Sequence, residues 1–104
     1  MEQAFEIAYD PVRTRVEARR DGAVLGFVEY GLRADAAVLA FTQDDGAGDE
    51  AMTTLVDGAL ALLRDRGYRI VPLCPRVRAF LHARPDRQDG VDVRFLDPAV
   101  RPVA

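Results

Sequence analysis

The sequence contains no lysine, no serine, no asparagine and no tryptophan, and has one cysteine and one histidine in 104 residues. Each absence removes a chemistry. Without lysine there is neither a Walker-type phosphate loop nor a Schiff-base amine, and without serine there is no serine nucleophile. A lone Cys74 cannot close an intrachain disulfide. With only His82 to join it, the usual zinc ligand sets are out of reach, so no metal site is expected. No apolar run approaches the roughly 18–20 residues of a membrane span, and Glu2 follows Met1 directly. A single thiol with no targeting segment points to a soluble, cytoplasmic protein.

What is present is ordinary for a globular chain: 49% hydrophobic and 30% charged residues. At this length, residues 1–104 make one domain with one modest core. The net charge of −3 is unevenly spread. Residues 1–63 hold five arginines against twelve acids, and residues 64–104 hold nine arginines against five acids. The acidic half excludes general nucleic-acid binding, which needs a continuous basic surface. The basic half suits a small anionic ligand.

Residues 1–11 form a lead-in with no assigned element, broken at Pro11. Residues 12–20 alternate as a half-buried strand does. Asp21-Gly22 supplies the two positive-φ positions of a tight hairpin. Residues 23–30 return as a second strand, with Val24, Gly26, Val28 and Tyr30 on one face. A turn at residues 33–35 leads to residues 36–42, apolar almost throughout, which predicts a strand covered on both faces.

Gln43-Asp44-Asp45-Gly46-Ala47-Gly48 has the composition of a loop. It opens a helix over residues 49–66, on which Met52, Leu55, Val56, Ala59, Leu60 and Leu63 share one face. Acids at its start, arginines at its end and Gly67 just beyond fit the helix dipole and a glycine stop. Residues 68–73 read as a fourth strand, and its return after a helix implies a right-handed parallel crossover. Pro75 opens a short second helix, with Val77, Phe80 and Leu81 inward. Residues 85–90 are a polar loop, and residues 91–96 alternate as a last strand. The class is α+β: an antiparallel meander feeding a parallel βαβ unit, with a short helix after the last core strand.

The stretch Val71-Pro-Leu-Cys-Pro-Arg-Val-Arg-Ala-Phe-Leu-His-Ala-Arg-Pro85 resembles the short, stand-alone GNAT-type N-acetyltransferases. That family carries Pro-Leu-Cys-Pro at a strand end, then a helix with Val and Tyr, then His-Pro-Glu-Tyr. Pro72, Leu73, Cys74, Pro75, Val77 and Pro85 match. Phe80 stands at the Tyr, Arg84 at the His, and Asp86-Arg87 at the Glu-Tyr. Upstream, Asp21-Gly22, Gly26-Phe27 and Glu29-Tyr30 match the family's hairpin, so the resemblance runs over residues 15–86.

The resemblance implies a GNAT-like mixed sheet, acetyl-CoA as cosubstrate and an amine acceptor. The pantetheine arm would lie between two splayed parallel strands, here along Phe41, Thr42 and Gln43. The pyrophosphate would rest on the N–H groups of Gly46, Ala47 and Gly48, where a helix start favours an anion. These residues match the family's glycine pattern literally, yet they lie four residues before the family's glycines, which fall at Glu50 and Met52. Either the helix starts a turn early around a working phosphate loop, or the loop is an ordinary turn. Asp44, Asp45, Asp49 and Glu50 around it weigh toward the second, because carboxylates repel a pyrophosphate.

Cys74 is the main catalytic candidate. At a helix N-terminus beside Arg76 and Arg78 its thiolate is favoured, and the resemblance implies an acetyl acceptor or a base. The competing account is a small buried residue closing a strand. Phe80 has no proton to give a departing CoA thiolate, the role a Tyr takes at this position in the family. Arg76, Arg78 and Arg84 suit either the CoA 3′-phosphate or an exposed helix face. Glu29 suits an amine substrate or plain exposure, and His82 a solvent-facing or capping role. The leading expectation is therefore an acetyl-CoA-dependent N-acetyltransferase without nucleic-acid or membrane partners. The alternative is a catalytically degenerate module of the same fold, which binds CoA without turnover or a protein partner through an open sheet edge.

Overall fold

A computed structural model describes residues 5–96. Five strands form one sheet in sequence order: β1 (Glu6–Asp10), β2 (Arg15–Arg20), β3 (Ala23–Arg33), β4 (Ala36–Asp44) and β5 (Arg69–Pro72). The first four pair antiparallel, and β5 joins β4 in parallel. Helix α1 (Asp49–Asp65) makes the crossover, and α2 (Pro75–Ala83) follows β5. The α+β architecture read from the sequence, a meander followed by a parallel βαβ unit, is the one observed.

The hairpin between β2 and β3 turns on Asp21 and Gly22, both at positive φ (53° and 82°), which matches the right-handed twist of the flanking strands. Val16, Ala18, Val28, Tyr30, Ala37, Leu39 and Ile70 point inward and join Met52, Leu55, Val56, Ala59, Leu60 and Leu63 of α1. Val77, Phe80 and Leu81 of α2 close the same core, so both helices lie on one face of the sheet. Gly67, at φ 88°, ends α1: Gly67 N–H donates to Arg64 O and Tyr68 N–H to Leu63 O, which satisfies the last carbonyls.

Three expectations need correction. The lead-in contains β1, whose Ile7 and Tyr9 pack against the core. The strand over residues 36–42 is not covered on both faces: Ala36, Ala37 and Leu39 are buried, but Ala40 and Phe41 are exposed. Among the described residues no helix lies on the outer face, and the pairing slips at Ala40, where Glu29 faces Phe41 and Tyr30 faces Leu39. Residues 91–96 make a single bridge, Ile70 to Val91, and then a 3₁₀ turn at Val93–Phe95. Asp92 bends the chain there by accepting from Arg94 N–H and the Arg94 guanidinium.

The outer face carries a charged group of its own. Glu17 is 1% exposed and is gripped by Arg15 at 2.7 Å and Arg19 at 2.6 Å. Burial pushes the pKa of its carboxyl up, and the hydrogen bonds and charges of the two guanidinium groups outweigh that and hold it below the ordinary value. Arg15 also lies 4.1 Å over the Phe27 ring, which in turn meets Phe41.

Candidate active site

The site grows from the point where β4 and β5 part. The two strands are in register from Ala36 beside Arg69 to Leu39 beside Pro72, and then the pairing stops. Leu39 O accepts both the Leu73 N–H (3.0 Å) and the Cys74 N–H (2.9 Å), and so turns the chain out of the sheet. Beyond Leu39, β4 runs on to Asp44 paired with β3 only, its β5 side unpaired. Asp45 N–H donates to Leu25 O of β3, so by alternation the Thr42 backbone faces the other way, into the opening.

Cys74 sits at this fork. It is the N-cap residue of α2, with extended backbone, followed by Pro75 at the first helical position. Cys74 is 4% exposed, and its Sγ lies 3.5 Å from Thr42 Oγ1 across the opening. A thiol or thiolate there has one hydroxyl partner and the start of a helix beneath it.

The sequence-derived site residues thus divide. Thr42 and Cys74 come together. The Phe41 ring lies on the outer face, 6.1 Å from the Phe27 ring, and the Gln43 amide donates to Asp45 at 2.8 Å. Gly46, Ala47 and Gly48 form the loop before α1, with Gly48 as its N-cap at φ 90°. Their three N–H groups converge on Asp44 Oδ1 at 3.0, 2.7 and 3.2 Å. The hydrogen bond from Gly48 is foremost in holding the Asp44 carboxyl below its ordinary range, with those from Gly46 and Ala47 adding to it against a desolvation penalty. By charge alone Asp44 reads as repulsive to an anion. Its spacing, two residues before a glycine, is the sequence signal for a side chain that folds back on its own loop.

Between α1 and α2 runs an open groove of about 670 Å³, lined by Asp49, Thr53, Val56, Pro75, Arg76, Ala79, Phe80, Ala83 and Arg84. Arg76 lies 3.7 Å from Asp49, and the Arg84 guanidinium is 5.4 Å from the Phe80 ring centre. Phe80 is 8% exposed and belongs to the core, so its face of the groove offers carbon and no hydroxyl. Tyr30 Oη has no hydrogen-bond partner among the described residues, and burial pushes its phenol well up, with Tyr9 and Tyr68 adding to the effect. Those phenols gather with Arg66 at the C-terminal end of α1, while the glycine loop is at its N-terminal end.

His82 Nε2 is 2.6 Å from Leu96 O; since a carbonyl only accepts, that nitrogen carries the proton and ties down the C-terminal segment. Glu29 is exposed on β3. Among the described residues no group of three or more His, Cys, Asp or Glu is placed to hold a metal ion, and no helix is long and apolar enough to cross a membrane.

A family model for GCN5-related N-acetyl-transferases matches residues 15–90, from β2 through α2 and the turn after it. The chain belongs to this family. Comparison with curated proteins and with solved structures gave no match.

Proposed function

We propose that this chain is an acetyl-CoA-dependent N-acetyltransferase acting on an amine. The observation that carries the reading is the fork at Leu39, an opening in the sheet with unpaired β4 backbone on one side and Cys74 on the other. An extended amide-bearing arm such as pantetheine is suited to such an edge, because it can complete the hydrogen bonds that β5 leaves unmade. The groove beside it, with Arg76 and Arg84, suits the phosphates of the donor's far end.

Two routes share this geometry. In one, the amine attacks the thioester carbonyl, the C–S bond breaks, and the amine proton leaves as CoA departs as a thiol; Cys74 takes part as base. In the other, the Cys74 thiolate attacks first, CoA leaves, and the acetyl-cysteine then passes its acetyl group to the amine, which restores the thiol. Thr42 Oγ1 is placed to orient the sulfur in either case. A reducing, cytoplasmic setting goes with this reading, since it leaves the single thiol free.

The second reading is a module that keeps the fold without turnover and engages a partner protein through an edge strand. Phe80 in place of a proton donor and the Asp44 carboxylate on the loop N–H groups favour it. Titration calorimetry with acetyl-CoA, followed by a thiol-release assay over a panel of amines, decides between them. Saturable binding with amine-dependent thiol release supports the enzyme. Absence of binding at millimolar acetyl-CoA, on the scale of a very weak complex of about −4 kcal/mol, refutes it.

A further inference from the structure

Arg15 stands directly opposite Glu29 in the pairing of β2 with β3, where a cation and a carboxylate on neighbouring strands ordinarily meet. The two do not pair. Arg15 gives its Nε–H to Glu17 at 2.7 Å and lays its guanidinium over the Phe27 ring. Glu17, buried and held by Arg19 as well, keeps that arginine occupied. The Glu29 carboxylate is left exposed, with no hydrogen bond or ion pair among the described residues. On its other side Glu29 faces Phe41, whose side chain is 45% exposed and has no cation over its ring among the described residues. Phe41 comes just before Thr42, where β4 has lost β5, and Leu73, 42% exposed, follows β5 across the opening.

An unpaired carboxylate and an open aromatic face, side by side at the edge of the fork, suit a cation on a carbon stem. The acidic surplus of residues 1–63, twelve acids to five arginines, draws a cation to this half of the chain. An amine must be neutral to attack a thioester, so a cation held here is a second nitrogen of the same acceptor. We propose that the acceptor is an aliphatic diamine, held at its protonated far end by Glu29 and Phe41 while its free amine reaches the fork. The proposal rests on the acetyltransferase reading above and names its substrate class. Glu29 stands one strand spacing from β4 and two from the line of β5, a span of about 5–10 Å that a short alkyl stem bridges. The free amine bonds to the acetyl carbonyl, the C–S bond breaks, and CoA leaves with the proton that the amine loses. The far nitrogen, as basic as a lysine amine, keeps its proton throughout.

The test measures thiol release from acetyl-CoA with terminal diaminobutane and with butylamine, on the wild type, Glu29→Gln and Phe41→Leu. The wild type is expected to favour the diamine by about fivefold or more in kcat/KM, the gain from an exposed ion pair joined to a cation–π contact. Glu29→Gln is expected to bring that preference below about twofold by raising the KM of the diamine, and to leave butylamine within about twofold. Phe41→Leu is expected to reduce the preference by about half, and it decides alone should circular dichroism show that Glu29→Gln does not fold. Equal use of the two amines by the wild type, or a preference that survives the substitutions, overturns the proposal and leaves the acetyltransferase reading standing. Thiol release with other amines but with neither of these does the same. Thiol release with no amine overturns both.

Discussion

Gly26 is the position where the structure makes the sharpest demand on a side chain. It faces inward on β3, beside Ala18 and Asp44 in the sheet, and α1 lays Met52 directly over it. A Cβ built on Gly26 would be 2.7 Å from Met52 Sδ and 2.8 Å from Gln43 O. The sulfur belongs to a fully buried side chain, and the oxygen to the backbone of β4, so neither gives way without moving its neighbours. Gly26→Ala gains about 0.4–1 kcal/mol from a stiffer unfolded chain. Overpacking of this kind costs about 1–3 kcal/mol, so a net loss of about 1–2 kcal/mol is expected. For a domain of this size that is a fall in Tm of roughly 5–15 °C. Thermal and urea melts followed by circular dichroism measure it, with Gly31→Ala as control, since a Cβ at Gly31 meets nothing within 4 Å. A Tm for Gly26→Ala equal to or above that of the wild type would show that α1 can lift off β3 at no cost, and the reasoning would fail.

Two further outcomes follow from the charged and reactive groups. Glu17 is held below its ordinary value of 4.5, so the stability it contributes is complete above that value and is lost as pH falls through the lower folded one. Glu17→Gln is expected to lower stability at neutral pH by about 1–3 kcal/mol and to flatten the decline in urea midpoint between pH 5 and pH 3, marks on the scale of an unperturbed carboxyl; an unchanged acid limb would refute the assignment. Cys74→Ala and Cys74→Ser are expected to abolish amine-dependent thiol release while acetyl-CoA affinity stays within about threefold. Full turnover by either variant would assign Cys74 to packing.

Much of the fold could be read because local and long-range preferences agree. In α1 the apolar spacing, the first-turn acids and Gly67 all say the same thing, and the helix ends within one residue of its expected bound. Asp21-Gly22 does likewise for the hairpin. β1 was hidden because it offers only Ile7 and Tyr9 inward; its place depends on partners far along the chain, Ile7 against Gly58 and Tyr9 stacked on Tyr30 at 6.3 Å. The strand expected over residues 91–96 fails for a local reason, since the Asp92 side chain competes for the N–H that a strand would use. At the site, a motif in the sequence marks Cys74 and a glycine pattern marks Gly46 to Gly48. That Thr42 meets Cys74, and that Asp44 closes on the loop, are matters of direction in space that spacing along the chain does not carry.

The fork itself is held by backbone alone. One carbonyl, Leu39 O, takes both the Leu73 and Cys74 N–H groups, and no side-chain atom takes part in either bond. On the acetyltransferase reading, substitutions at Thr42 or Cys74 therefore change what the opening does and leave those two bonds in place. Loss of chemistry and loss of shape are separable in this molecule: a descendant could fall catalytically silent through a single side chain and still offer the same gap in its sheet to whatever next fits there.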